Sequence, residues 1–426
     1  MPTGVQQNVV ALELEKVRDK VPITFERENI FLNWLEEKGE AVTVSGRLMR
    51  LPLQLVPGGQ AQAFNPDGGD MGRGSFTGYD VAQITPKFYD FCIEYSKLLM
   101  WATNQPQKAV ANAVQREMEN ANKQFAAFLD KISQTSGNGV IGTIGSVSGQ
   151  VLTMSVPYGA ALVYDNQTVQ VYDTTLTTNR GSFRVGNHDQ VIAQSITADP
   201  ATPLPAGTVA TDVLVYAGLS GASPVGMFGI KYHHNNATTG TWLNLNRATY
   251  PTQLRTNRVN GGNGALVPQF PRLAFNFILK SLGSNESRGN MNKPGKLTAY
   301  WNVEQRAAWE NLAITVSTVI KEGGGGRATQ YDPLFSDLQL SGVPAKVSAN
   351  ADQTRIDFFD LSHWGRAVML PMGLHDVGGN TTWPVYGASG GLSAAELFYL
   401  VTGFEIFMDN PRSGAYVDAL SRPSGY

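Results

Sequence analysis

The strongest pattern of apolar and polar positions lies at 107–133, QKAVANAVQREMENANKQFAAFLDKIS. Val110, Val114, Met118, Ala121, Phe125, Phe128, Leu129 and Ile132 recur at helical spacing. Lys108, Gln115, Glu119, Lys123 and Lys131 take the opposite face. The spacing predicts one helix of roughly 40 Å at 1.5 Å per residue, long enough to serve as a spine for more than one region. TSGNG ends it. Val114, Met118, Phe125 and Leu129 are its expected packing residues, and ordinary core packing explains such a stripe better than a cofactor site does.

Ahead of this helix the period changes. NIFLNWLEEKG predicts a short helix ending near Gly39, too short to be stable unless it packs on something. Residues 42–55, VTVSGRLMRLPLQL, predict a strand broken by glycine and by Pro52, as at a sheet edge. In VAQITPKFYDFCIEYSKLL, Tyr89, Phe91, Ile93 and Tyr95 share one parity, the mark of a strand with one buried face. Between the two lies PGGQAQAFNPDGGDMGRGSFTGYD, with seven glycines and two prolines. Residues 42–96 therefore predict a two-stranded excursion with a pliable tip. It is either a hairpin lying on its own domain or an arm that a neighbouring subunit orders. For an arm, Phe64, Met71 and Phe76 are the large apolar anchors, and Asp67, Asp70 and Arg73 could add charge pairs.

From 140 to about 290, VLTMSVPY, ALVYD, TVQVYD, GSFRVG and TDVLVYAG predict short strands between turn residues. HHNNATTGTWLNLNRATYP is turn-rich, with Trp242, Leu243 and Leu245 as expected buried anchors. VEQRAAWENLAITVSTVI predicts a helix at 303–320, followed by the loop EGGGGR. AKVSAN, RIDFFD and GRAVMLP predict later strands, and ELFYLVTGFEIFMDNP predicts a strand pair or one long strand. The whole is an α+β chain without a fixed repeat.

Composition narrows the function classes. The apolar fraction of 42% supports real cores, whereas charged residues make up only 16% and the net charge is −2. Nothing here predicts a broad nucleic-acid-binding field. The N-terminal MPTGVQQNVVALELEK lacks the pattern of a secretory signal, and no stretch is long enough to span a bilayer. Cys92 is the single cysteine, which excludes internal disulfides and thiolate metal clusters.

Candidate chemistry is sparse. His233 and His234 are adjacent, while His188-Asp189 and His375-Asp376 are plausible surface pairs. No two histidines have the spacing that puts them on one helical face. GASGG lacks the spacing of a nucleophile elbow, EGGGGR lacks the lysine and hydroxyl of a phosphate loop, and GNGVIGTIG follows a helix, not a strand. Asp67/Asp70 and Asp352/Asp357 have no sequence reason to converge as a glycosidase pair. Arg247, Arg255 and Arg258 form at most a local positive strip, expected at the surface. No catalytic residue, metal ligand or cofactor is assigned.

The order of these elements resembles the tailed-bacteriophage major capsid protein family with the HK97-type fold. The stretches that carry the likeness are GYDVAQITPKFYDFCIEYSKLLMWA, AVANAVQREMENANKQFAAFLDKI, NVEQRAAWENL, SGVPAKVSANADQTRIDFFDLSHW and TGFEIFMDNPRSGAYVDAL. The resemblance implies an N-terminal arm at 1–41 and an extended β-hairpin loop at 42–96. It implies a peripheral domain at 97–150 holding the spine helix, a mainly axial domain at 151–380, and closing strands at 381–426. The stretch 186–265 is long for a minimal axial domain, which leaves room for an insertion. Implied too is a non-enzymatic protein that assembles as hexamers and pentamers into the icosahedral shell of a virion. Such a shell forms in the host cytoplasm and encloses double-stranded DNA by confinement, without specific binding and without a membrane. Partners would be a portal protein, a separate scaffolding protein (favoured by Met1 and the short lead), and a cement protein where one is used. The tip has no lysine, so covalent crosslinking from it is not expected. Two other classes stay open: a virion decoration, tail or spike protein, and, given seven tryptophans among many strands, a carbohydrate-processing enzyme.

Overall fold

The computed structural model describes residues 29–38, 40–44, 46–63, 65–69, 72–97, 113–155, 157–190, 194–219, 225–282, 297–322, 339–340, 343–386 and 390–423. The chain divides into two compact units. The smaller holds Pro86–Asp130 and Val368–Phe404; the larger holds Ile30–Thr85, Lys131–Ala367 and Glu405–Tyr426.

In the smaller unit, the strand Lys87–Ser96 pairs antiparallel with the long strand Leu392–Met408, from Ala395 opposite Ser96 to Phe404 opposite Lys87. Thr382–Tyr386 pairs with the start of the same long strand. The parity read from the sequence holds: Tyr89 and Tyr95 are buried, Phe91 and Ile93 half-buried, and the intervening residues exposed. The long helix runs Ala113–Ser133, and residues 107–112 lie outside the described residues. Phe91 stacks on the helix's Phe125 with ring centroids 5.8 Å apart, so strand and helix share one core. Tyr95 donates to Glu396 Oε2 at 2.9 Å. Burial, and next the Glu396 carboxylate, push its phenol up to about 12.

The larger unit contains a six-stranded sheet in the order Asn257–Gly264, Ala415–Leu420, Ile356–Asp360, Leu297–Trp301, Val343–Val347, Gln339–Leu340. The first pair is parallel, as is Leu297–Trp301 with Val343–Val347. Ile356, Phe358, Trp301 and Val417 fill one side, and the helix Gln269–Leu282 packs there through Ala274, Phe275 and Ile278. Phe275 meets Phe358 edge-on at 5.0 Å. The short helix Phe31–Lys38 buries Phe31, Leu32, Trp34 and Leu35, with Phe31 and Trp34 against Tyr300 and Phe359. Burial of this kind is what makes a two-turn helix stable.

Six short strands between Val140 and Tyr216 close into a barrel. Leu152, Val169, Phe183, Val185 and Ile196 are buried in it and alternate with less buried residues, whereas the strand Val213–Tyr216 is buried throughout. The barrel begins well before the 186–265 stretch that the sequence suggested as extra, and ends inside it.

Two sequence expectations are corrected. The stretch VAQITPKFYDFCIEYSKLL is not one strand. It breaks at Thr85-Pro86, because proline has no N–H to continue the ladder. Gly78–Ile84 pairs with Met49–Val56, whereas Lys87–Ser96 pairs with the long C-terminal strand. The two-stranded ribbon is thus Met49–Ile84, shorter than 42–96. Lys131, placed on the polar face by periodicity, is only 3% exposed, and its amine donates to the Val163 carbonyl at 2.8 Å.

Candidate assembly surfaces

The hairpin is built so that one face is committed and the other is not. In its register Leu51 faces Ala82 and Met49 faces Ile84. Leu55, Ala82 and Ile84 join a core with Trp242, Leu245, Leu254 and Phe407. The anchor is a second small hairpin. Thr241–Trp242 pairs with Leu245–Asn246 across a two-residue turn in which Leu243 and Asn244 both have positive φ, the geometry that a right-handed strand twist favours. That turn presents Leu243 O and Asn244 Oδ1 to the backbone N–H of Gln83, at 3.1 and 2.9 Å. The sequence pointed to Trp242, Leu243 and Leu245 as buried anchors, and all three are buried. Nothing in it showed that they hold the hairpin.

On the outer face Pro52, Gln54 and Val56 stand opposite Val81, Tyr79 and Gly78. Tyr79 is 69% exposed and Val56 and Val81 are exposed as well. Beyond them, the described residues among 57–77 form no regular strand. Gly59 N–H still donates to Ser75 O at 2.8 Å, and its φ of +88° is closed to most side chains. A turn at 65–69 is closed by Gly69 N–H to Asn65 O at 2.9 Å. Of the candidate tip residues, Phe76 is 99% exposed and Asp67 and Arg73 are exposed, with no ion pair between them. Phe64, Asp70 and Met71 lie outside the described residues. A groove of about 550 Å³ runs beside the strand Met49–Val56, lined by Leu51, Leu53, Leu254, His363, Asp409 and Arg412 among others. His363 Nδ1 and Asp409 Oδ1 pair there at 2.7 Å.

On the long helix Phe125 and Leu129 are buried, Met118 half-buried and Lys123 exposed. The side chain of Val114 lies outside the described residues.

The polar candidates each find partners within the fold. His233 and His234 are both buried. His233 Nε2 donates to Ile406 O at 3.1 Å while Nδ1 accepts from Trp242 Nε1 at 3.3 Å. That pairing is satisfied only by the neutral ring, and burial holds its pKa down to about 3. His234 Nδ1 bonds Asp357 Oδ1 at 2.7 Å, and Arg355 grips the same carboxylate at 2.7 Å. Asp352 pairs with Lys231 at 2.9 Å. Asp352 and Asp357 do line one cavity, but it is only about 10 Å³ and each acid is neutralised by its own cation. His188 pairs with Asp165, not with Asp189. His375 stacks on Trp383, while Asp376 accepts from Gly379 N–H.

The arginine strip is corrected too. Arg247 is 3% exposed, and its guanidinium reaches the carbonyls of Tyr232, Asn235 and Ala237. Arg258 pairs with Asp418 at 2.9 Å. Only Arg255 of the three is exposed without such a partner. No group of three or more metal-ligating side chains occurs among the described residues.

No protein-family model and no curated protein matches the chain. Solved structures do. The chain is similar to a protein of the cyanophage A-1(L) capsid asymmetric unit at 12% identity, covering 96% of this chain and 97% of that one with a TM-score of 0.58. It also aligns with the capsid of a native GTA particle (11% identity, 95% of each chain, TM-score 0.44). A third alignment is with an encapsulin complex from Synechococcus elongatus (8% identity, 98% and 97% coverage, TM-score 0.45). The end-to-end likeness to the cyanophage protein, with the mixed architecture above, defines the fold: this chain has the HK97-like capsid fold.

Proposed function

We propose that this protein is a non-enzymatic shell subunit. Copies assemble as hexamers and pentamers into an icosahedral virion capsid in the host cytoplasm, enclosing double-stranded DNA. The observation that carries the reading is the likeness to the cyanophage capsid protein over nearly the whole of both chains. The arm adds support, because a folded subunit has little reason to display Phe76, Tyr79, Val56 and Val81 unless something covers them. In this reading residues before the hairpin form an N-terminal arm, and Met49–Ile84 with its tip is the extended loop. The tip lies over a neighbouring subunit, with Phe64, Met71 and Phe76 as anchors. The smaller unit is mainly peripheral domain, and the six-stranded sheet with its helices is axial domain. A separate scaffolding protein, a portal and, where used, a cement protein complete the particle. DNA is held by confinement: the net charge of −2 offers no large counterion-release term.

The test is coexpression with the genomic neighbours of its gene, read by sedimentation and electron microscopy. Closed shells are expected. Small cyclic oligomers alone under every condition would instead support a decoration, tail or spike protein.

A further inference from the structure

One charged face is absorbed neither by the core nor by the arm. Between Asp212 and Glu286 the sequence holds no acidic residue. With 35 acids in 426 residues, a run of that length would ordinarily hold about six. Its cations are Lys231, Arg247, Arg255, Arg258, Arg272 and Lys280. The fold engages three of them: Lys231 with Asp352, Arg258 with Asp418, and Arg247 with backbone carbonyls. Arg272 and Lys280 remain exposed on the outer side of the helix Gln269–Leu282, with exposed Asn276 between them. No ion pair involves either cation among the described residues. The nearby acids Asp409 and Asp418 are already taken by His363 and Arg258. Arg255 adds a third cation without an ion pair among the described residues, beside the helix end, since Asn257 Nδ2 bonds Ser281 Oγ at 3.1 Å.

A matching acidic face exists elsewhere on the chain. On the strand Lys87–Ser96, Phe88, Asp90, Cys92 and Glu94 all point to the exposed side. Beside them on the long strand stand half-buried Val401, Tyr399 and Leu397, in register with Asp90, Cys92 and Glu94. The result is an apolar floor carrying two acids, neither in an ion pair among the described residues. The spacings agree. Eight residues of helix put Arg272 and Lys280 about 12 Å apart along the axis, and four residues of strand put Asp90 and Glu94 about 13 Å apart.

We propose that the outer face of the helix Gln269–Leu282 docks on the acidic sheet face of the strand Lys87–Ser96 in a second copy of this chain. Arg272 and Lys280 meet Asp90 and Glu94, and Asn276 lies over Cys92. Three cations without an ion pair among the described residues, one of them (Lys280) lying over the Phe277 ring at 6.0 Å, are too few for strong attachment to a nucleic-acid backbone, where affinity grows with the number of phosphates neutralised. They suffice to set register and orientation across a protein contact. The contact joins two different patches, so it propagates head to tail and closes into a ring only if the rotation allows. It rests on the shell reading only in that both require copies of this chain to meet.

Cys92, the single cysteine, supplies the test. N276C would place a thiol opposite it, and a short bis-maleimide applied to concentrated, unassembled protein should then link chains into a ladder of multimers. S146C, on the barrel surface, should not. R272E/K280E in the N276C background should abolish the ladder, and adding D90K/E94K should restore it. The ladder should fade as salt shortens the Debye length. Equal ladders from N276C and S146C, no ladder from N276C, or a ladder that survives charge reversal would each overturn the contact. So would duplex-DNA retention that R272E/K280E removes while N276C fails to crosslink. Shells seen without the crosslink sink this contact alone, and the crosslink without shells sinks the shell reading alone.

Discussion

The long helix and the arm are both extended elements, yet they are held in opposite ways. The helix is defined by what it buries. Phe125 is 0% exposed and stacks on Phe91, so its conformation follows from its own subunit. The hairpin is buried along one face of its paired strands, where Leu55, Ala82 and Ile84 meet Trp242 and Leu254. From Pro57 outward its described residues are exposed or half-buried, without strand pairing. One element completes a core within the chain; the described residues of the other's tip join no core of that chain, and the proposed function has a neighbouring copy cover them. Glycine makes the second arrangement workable and costly at once. It permits turns such as that at Gly59, and it raises the entropy lost when the tip orders.

That contrast can be broken most severely by deletion. Removing residues 60–76 should leave the thermal melt of the subunit nearly unchanged and prevent or cripple shell formation. A deletion mutant that assembles normally would reduce the tip to an ordinary hairpin.

The helix should answer the other way. Phe125→Ala should cost about 3–5 kcal/mol and Leu129→Ala about 2–5 kcal/mol, read by urea denaturation of the unassembled subunit. Equal, small losses would mean that the stripe does not carry the core.

Acid should weaken the larger unit through His233. Its folded pKa is lowered to about 3 from 6.5, chiefly by burial. Its contribution is therefore fully present above pH 6.5 and is lost as pH falls toward 3. Protonating Nδ1 would point an N–H at the Trp242 donor. At pH 5 this group alone should remove about 2 kcal/mol relative to pH 7. Urea midpoints that do not fall between those pH values would contradict the assignment. The smallest effect belongs to Lys123→Ala, on the exposed side of the helix, which should change stability by less than about 0.5 kcal/mol.

What could be read in advance depended on whether the information was local. The helix period, the Tyr89-to-Tyr95 alternation and the anchors around Trp242 are short-range patterns, and the structure keeps them. The break at Pro86 is also local: the proline's missing N–H interrupts the ladder even where the alternation continues. Closure of the barrel at 140–216 could not be read, because it depends on which short strands pair across distant turns. Lys131 and Arg247 were misplaced for the same reason. A cation is assigned to solvent by its type, and only the folded chain shows Val163 O or Tyr232 O waiting for it. For the arm, composition signalled pliability, while the anchoring turn at Leu243-Asn244 lies more than 150 residues further along.

The central claim is that the tip is ordered by another copy of the chain, and hydrogen exchange of residues 57–77 tests it most directly. Backbone amides there should exchange rapidly in the free subunit, as expected where few buried contacts hold the chain, and slowly in assembled shells, while those of Phe125–Ile132 stay protected in both. Equal protection of the tip in the two states, high or low, would contradict the account.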